Sequence, residues 1–212
     1  GGAASNTCGE DVTFTYNGSS VTYGTVTGAN SKCWMDRNLG ADQVALSSMD
    51  AASYGDLYQW GRGTDGHQIR TSTSISGQNS LTNPGAKFLF GSSNWYTGSS
   101  PSPDALWQGV NGTNNPCPSG YRLPTVAEWE TERQSWSSYN ASGAWASPLK
   151  LPMVGFRHYT NGVLNNLGTS GDYWSSAFNS GKSHNLFFNS NSTNINNLDR
   201  AFGFAVRCIK DY

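Results

Sequence analysis

The residues of this chain that could do chemistry are three histidines, four cysteines and a short run of glutamates. A nucleophile–base pair would set a reactive Cys, Ser or Lys beside a His. His67, His158 and His184 instead lie in polar, Gly- or Asn-rich surroundings, with no GxSxG elbow and no HExxH. They read as surface or loop histidines. Glu128, Glu130 and Glu132 do not share one helix face; Glu128 is accounted for by helix capping and Glu132 by i,i+4 spacing, so a carboxylate pair for glycoside cleavage has little support. The glycine-rich Gly61 to Gly66 lacks the Lys-Ser/Thr ending and the preceding strand of a phosphate-binding loop. Asn and Asp are plentiful enough to build a calcium site with loop carbonyls, but no stretch has EF-hand spacing. The expectation is a protein without catalytic residues, metal or cofactor.

Cys8, Cys33, Cys117 and Cys208 match neither a zinc knuckle nor a CxxC redox motif. An even count in a low-charge, Asn-rich chain reads as two disulfides of an exported or surface-exposed protein. Of the three connectivities, sequential closure is expected, Cys8 with Cys33 and Cys117 with Cys208; four reduced, buried thiols are the alternative. Gly1 to Ser5 reads as a trimmed linker, so export is inferred only indirectly, from the cysteines.

The elements that must position these residues come next. At 212 residues the chain is long enough for one domain with a substantial core. Net charge is −1 and charged residues make up 13%, which leaves no basic stripe for nucleic acid. Apolar runs are too short to span a membrane. Eight Trp, ten Tyr and nine Phe supply large buried areas despite the low hydropathy. Asp11 to Tyr16, the turn Asn17-Gly18 and Ser19 to Val26 form a hairpin signature, followed by a strand over Lys32 to Arg37. Asp50 can cap a helix running to about Arg62. Gly63 to Gly120 is loop-rich and expected to be ordered by Phe88, Phe90, Trp95, Tyr96 and Trp107. Thr125 and Glu128 form a capping box for a second helix, with Val126, Trp129, Arg133 and Trp136 on one face. Leu149 to Arg157, Tyr173 to Ser176, Asn185 to Asn189 and Phe202 to Ile209 read as strands, and pairing of the N- and C-terminal strands would bring the termini together. The sum is an α+β domain with antiparallel sheets, two helices and long loops.

Several of these stretches carry a resemblance. Pro116 to Trp129 (PCPSGYRLPTVAEW), Cys33 to Gly40 (CWMDRNLG), Tyr54 to Gly61 (YGDLYQWG), Tyr173 to Ser176 (YWSS) and Gly203 to Asp211 (GFAVRCIKD) together resemble the Fibrobacter succinogenes major paralogous domain, in the same order and over most of the chain from Val21 onward. The resemblance implies a C-type-lectin-like fold related to that of formylglycine-generating enzymes; with the hairpin read above as an extension over 1–30, the expectation is a single domain over 1–212. The paired catalytic cysteines of the formylglycine-generating branch have no matching motif here, since Cys208 sits in a strand-like strip and Cys117 in a turn. Sugar-binding Glu-Pro-Asn motifs are absent as well.

The Asn- and Ser-crowded segment Ala177 to Phe202, framed by two apolar strips, looks like the variable region of a diversity-generating retroelement target, about 155–208. In such systems miscopied adenines randomise Asn codons while the scaffold stays constant. Phe178, His184, Phe187, Ile195, Leu198 and Asp199 are reachable from an Asn codon through its first two bases; Lys182 and Trp174 are not. The ligand-binding set implied is His158, Tyr159, Thr160, Phe178, Gly181, His184, Phe187, Ile195, Leu198, Asp199 and Phe202, supported by Arg157, Tyr173, Trp174 and Arg207. The implied role is a non-catalytic protein binding a protein or glycan ligand, extracellular, on a cell surface or on a virion. A non-diversified adhesin of the same family would look nearly identical, and an oxidase or glycan hydrolase is the reading from another class.

Overall fold

A computed structural model describes residues 8–212. The segment read as a linker lies outside the described residues, as does the beginning of the 1–30 extension. The chain runs β1 (Val12–Tyr16), β2 (Ser19–Tyr23), β3 (Thr25–Thr27) and β4 (Cys33–Met35), then β5 (Tyr58–Gln59), β6 (Ser74–Ser76) and β7 (Phe88–Phe90). β8 (Tyr121–Arg122) leads into α1 (Val126–Gln134) and α2 (Ala141–Ala146). The rest is strand: β9 (Phe156–Arg157), β10 (Leu164–Asn165), β11 (Ser170–Asn179), β12 (Lys182–Asn189), β13 (Thr193–Asp199), β14 (Gly203–Phe204) and β15 (Ile209–Lys210). The fold is α+β, and every strand pairing is antiparallel except β6 with β7.

The turn chemistry works as the sequence implies. Asn17 (φ 47°) and Gly18 (φ 81°) both take positive φ, which matches the twist of β1 and β2. The hairpin ends at Tyr23; after Gly24 the chain enters β3, in the sheet ordered β3-β4-β15-β8. In that sheet the C-terminal strand β15 pairs with β4, with Ile209 opposite Trp34 and the Tyr212 hydroxyl accepting from the Cys33 N–H. Both disulfides close there, Cys8–Cys33 and Cys117–Cys208, the connectivity expected.

Helix α1 carries its capping box: the Thr125 hydroxyl accepts from the Glu128 N–H, and the Glu128 carboxylate accepts from the Thr125 N–H. Glu128 is also gripped by Arg122 through two hydrogen bonds of 2.8 Å. Trp136 lies beyond the end of α1, yet it is buried edge-on against Phe188. Glu132 is not an exposed pairing residue; it is buried and accepts from the Ala29 N–H.

The helix expected from Asp50 to Arg62 does not form. Asp50 caps only a 3-10 turn, Ala51–Ser53. Gly55 then adopts φ 68°, and a Cβ there would stand 2.5 Å from the Leu39 carbonyl oxygen. The left-handed residue stops the helix, and Tyr58 and Gln59 pair with Phe204 and Gly203 instead. The second helix is α2, capped by the Asn140 side chain. The strand expected over Leu149 to Arg157 shrinks to β9. Its earlier part is an irregular, buried segment containing Pro152 and a left-handed Gly155. Phe202 to Ile209 splits into β14 and β15, with Ala205 to Cys208 crossing between two sheets. β13, five polar residues in seven, was not anticipated as a strand.

Two apolar clusters flank the sheet β11-β12-β13. Tyr173, Leu186 and Phe188 join Trp34, Trp129 and Leu151 on the helix side. Trp174, Phe204 and Val206 join Tyr58, Trp60 and Trp107 on the other. The loop region is ordered as expected: Phe88, Trp95, Tyr96 and Trp107 are buried and Phe90 half-buried. Among the described residues no helix is long and apolar enough to cross a membrane.

Candidate ligand-binding surface

Several of the groups that could have done chemistry are committed elsewhere. His67, expected at the surface, is fully buried in its loop. Its Nδ1 lies 2.5 Å from Asp65 Oδ1 and its Nε2 accepts from the Gln59 N–H, so neither nitrogen is free. Burial, and then the neighbouring Arg62, push its pKa down to about 4. All four cysteines are in disulfides. Glu130 is paired with Arg133. A cleft of about 540 Å3 includes Asp65, Asn83 and Asn114 in its lining. Asp65 there is tied to Arg62 and His67, and Asn83 and Asn114 bond each other and the backbone. Among the described residues no three His, Cys, Asp or Glu converge as a metal site.

A different arrangement stands at the tips of two hairpins. Arg157 pins the first: its guanidinium donates to the Gly162 carbonyl, to both oxygens of Ser72 and to the Ser74 hydroxyl, and lies over the Phe88 ring. The β9–β10 connection therefore holds one shape, with His158 Nδ1 2.9 Å from the Thr160 hydroxyl and the Gly91 N–H donating to the Tyr159 carbonyl. His158 and Tyr159 stack at 5.2 Å, and Phe202 stands edge-on to both, at 5.0 and 4.8 Å. Phe202 stacks on Phe204 at 5.2 Å, and Phe204 lies 4.3 Å from Trp174. Exposed Thr160 and half-buried His158, Tyr159 and Phe202 thus rest on an aromatic ladder that descends to a fully buried tryptophan. Phe156 flanks the ladder, 5.8 Å from Phe202. Sequence reasoning left Phe156 out, although its place between Gly155 and Arg157 in the same stretch was a usable signal.

The supporting residues are all buried. Trp174 Nε1 donates to the Tyr58 carbonyl, and the Tyr173 hydroxyl donates to the Pro152 carbonyl. Arg207 donates to Asn38 Oδ1 and to the carbonyls of Met35 and Leu149.

The second tip is the β11–β12 turn, Ser180-Gly181. Gly181 makes the turn and offers no side chain. Phe178 beside it is 42% exposed. The Arg200 guanidinium lies 5.8 Å from the Phe178 ring and 4.5 Å from the Trp60 ring, and it bonds Ser183 and Asp104. Nothing in the sequence marked Arg200 as a support.

Strand register divides the remaining residues. Residues opposite one another share a face, and faces alternate along a strand. Phe187 lies opposite Asn194 and Asp172, and Leu198 opposite Ser183, which is also opposite Phe178. His184, Ile195 and Asp199 therefore take the other face. Ile195 packs against the core on the helix side, and Asp199 pairs with Lys182 at 3.1 Å. The set read from the sequence is not one contiguous surface; His158, Tyr159, Thr160, Phe202, Phe178, Phe187 and Leu198 remain on the aromatic side.

Beside Phe187 lie three buried polar residues, Asp172, Ser170 and Asn185, that sequence reasoning also missed. Asp172 accepts from the Ser170 hydroxyl at 2.8 Å and from Asn185 Nδ2 at 3.2 Å. Burial raises its pKa to about 7, against the opposing pull of those two bonds. Comparison of the chain with family models, with curated proteins and with solved structures finds no match.

Proposed function

We propose that this chain is a non-catalytic binding protein with a C-type-lectin-like fold, which holds its ligand against the aromatic side of the β11–β13 sheet. The observation that carries the reading is the ladder from Tyr159 and Phe202 to Trp174. Large rings already locked in place lose little entropy on binding, while neighbouring Thr and Asn side chains supply adaptable hydrogen bonds. The ligand is a macromolecule, protein or glycan, met outside the cell or virion, and two disulfides accord with that location. The commitment of the cysteines and of both His67 nitrogens supports the non-catalytic assignment.

The resemblance to the Fibrobacter succinogenes major paralogous domain and to retroelement-diversified proteins extends the proposal: Phe178, His184 and Phe187 are among the positions at which a template repeat would encode Asn. A second reading, a non-diversified adhesin, draws support from Ile195, whose packing against the core ties its identity to folding.

Glycan and protein arrays test the proposal. An array ligand of the wild-type protein should lose at least about tenfold in affinity with Tyr159→Ala, the loss of one aromatic anchor. A ligand unaffected by both Tyr159→Ala and Phe178→Ala sinks the surface assignment. A locus without a reverse transcriptase and an Asn-coding repeat removes diversification and leaves the adhesin.

A further inference from the structure

β13 is the outer strand of the sheet β11-β12-β13. The Asn189 N–H donates to the Ser192 carbonyl, closing a two-residue turn between β12 and β13. In an antiparallel ladder the pairs that exchange both hydrogen bonds recur every second residue. From that closing pair they are Phe187 with Asn194, Asn185 with Asn196 and Ser183 with Leu198. The N–H and C=O groups of Thr193, Ile195, Asn197 and Asp199 consequently point away from the sheet. Arg133 donates to the Thr193 carbonyl and the Phe202 N–H to the Asp199 carbonyl. The four backbone groups of Ile195 and Asn197 have no partner among the described residues.

Natural sheets blunt such an edge with Pro, Lys, a bulge or a covering segment. β13 contains no Pro and no Lys, and its register with β12 has no bulge.

We propose that this edge pairs with the same edge of a second copy, antiparallel about Asn196, joining two three-stranded sheets into one of six strands. The parity fits: centring on Asn196 sets each Ile195 opposite the other copy's Asn197, and both are residues whose free groups face outward. Four N–H to C=O bonds form across the axis. The charges fit as well. Arg133, paired with Glu130, reaches the Thr193 end of the strand and Asp199, paired with Lys182, occupies the other, so each copy's Lys182–Asp199 pair meets the Arg133–Glu130 pair of its neighbour. At the axis Asn196 faces Asn196, and an amide supplies both a donor and an acceptor.

Sedimentation from low micromolar to submillimolar concentration, with residue-resolved amide exchange, tests the pairing. The wild-type protein should dimerise with rising concentration, and the Ile195 and Asn197 amides should slow at least about tenfold. Asn194, Asn196 and Leu198, already bonded to β12, should be slow throughout. Asn196→Lys alone and Asn196→Asp alone should each be monomeric, because like charges would stand directly opposite one another; a one-to-one mixture should recover the dimer. The proposal is overturned by a wild-type protein that stays monomeric with Ile195 and Asn197 exchanging freely. It is equally overturned by a dimer that survives Asn196→Lys, or by protection of these amides only when a foreign peptide is added.

Discussion

Asp172 and His67 are both buried titratable groups, yet they act on stability in opposite directions. Asp172 holds its proton in the folded chain up to about pH 7, whereas an unfolded aspartate releases it near 3.8. Its contribution is full below the unfolded value and is lost as pH rises through about 7. His67 resists protonation down to about pH 4, so its contribution is present above 6.5 and is lost as pH falls through about 4. Asp172→Asn separates the two. The unfolding free energy of the variant minus that of the wild type should grow by about 1.4 kcal/mol per pH unit between pH 4.5 and 6.5. Urea titrations at several pH values measure it, and a difference that stays flat would remove Asp172 from the account. Neither burial was legible in the sequence. His67 sits among Gly, Asp and Gln, a setting that reads as loop, and only the fold packs Gln59, Asp65 and Arg62 around it.

At the scale of elements, local chemistry was decisive where a side chain bonds its own neighbours. Thr125 and Glu128 lie three residues apart and satisfy two free N–H groups at the start of α1. Thr125→Ala should therefore cost about 1 kcal/mol, seen as a lower urea midpoint at unchanged slope; no change would mean that Arg122 alone holds this helix end. The Asn17-Gly18 turn was legible for the same reason. The helix expected from Asp50 to Arg62 failed because its helical spacing of Tyr54, Leu57 and Tyr58 met a stronger competitor. The Gln59 side chain bonds the carbonyls of Leu89 and Ala201, and Tyr58 pairs with Phe204, all distant in sequence. β13 shows the converse: its Asn residues disfavour a strand locally, and pairing with β12 along its whole length imposes one.

For the whole molecule, three indoles and two disulfides tie the sheets together. Trp60, Trp129 and Trp174 donate to the carbonyls of Ser175, Trp174 and Tyr58, so β11 is bonded from both sides of the core. Cys117–Cys208 closes a sequence separation of 91 residues and Cys8–Cys33 one of 25. Loop-closure entropy puts their stabilisation at about 4.5 and about 3.5 kcal/mol. Replacing Cys117 and Cys208 together by Ser should thus lower the unfolding free energy more than replacing Cys8 and Cys33; the reverse order in denaturant titrations would show that native packing, not chain entropy, dominates. The sequence alone determined the turns, the capping box and the α+β class, because each follows from residue types and their order along the chain; sequential closure of the cysteines was one of three open connectivities, and the fold decided it. Only the tertiary structure decided which residues of the Asn-rich segment share a surface. In strands where polar residues occupy both faces, no hydrophobic alternation marks the register. The separation of Phe187 from Ile195 therefore arises from pairing with β11 and from the two cores on either side.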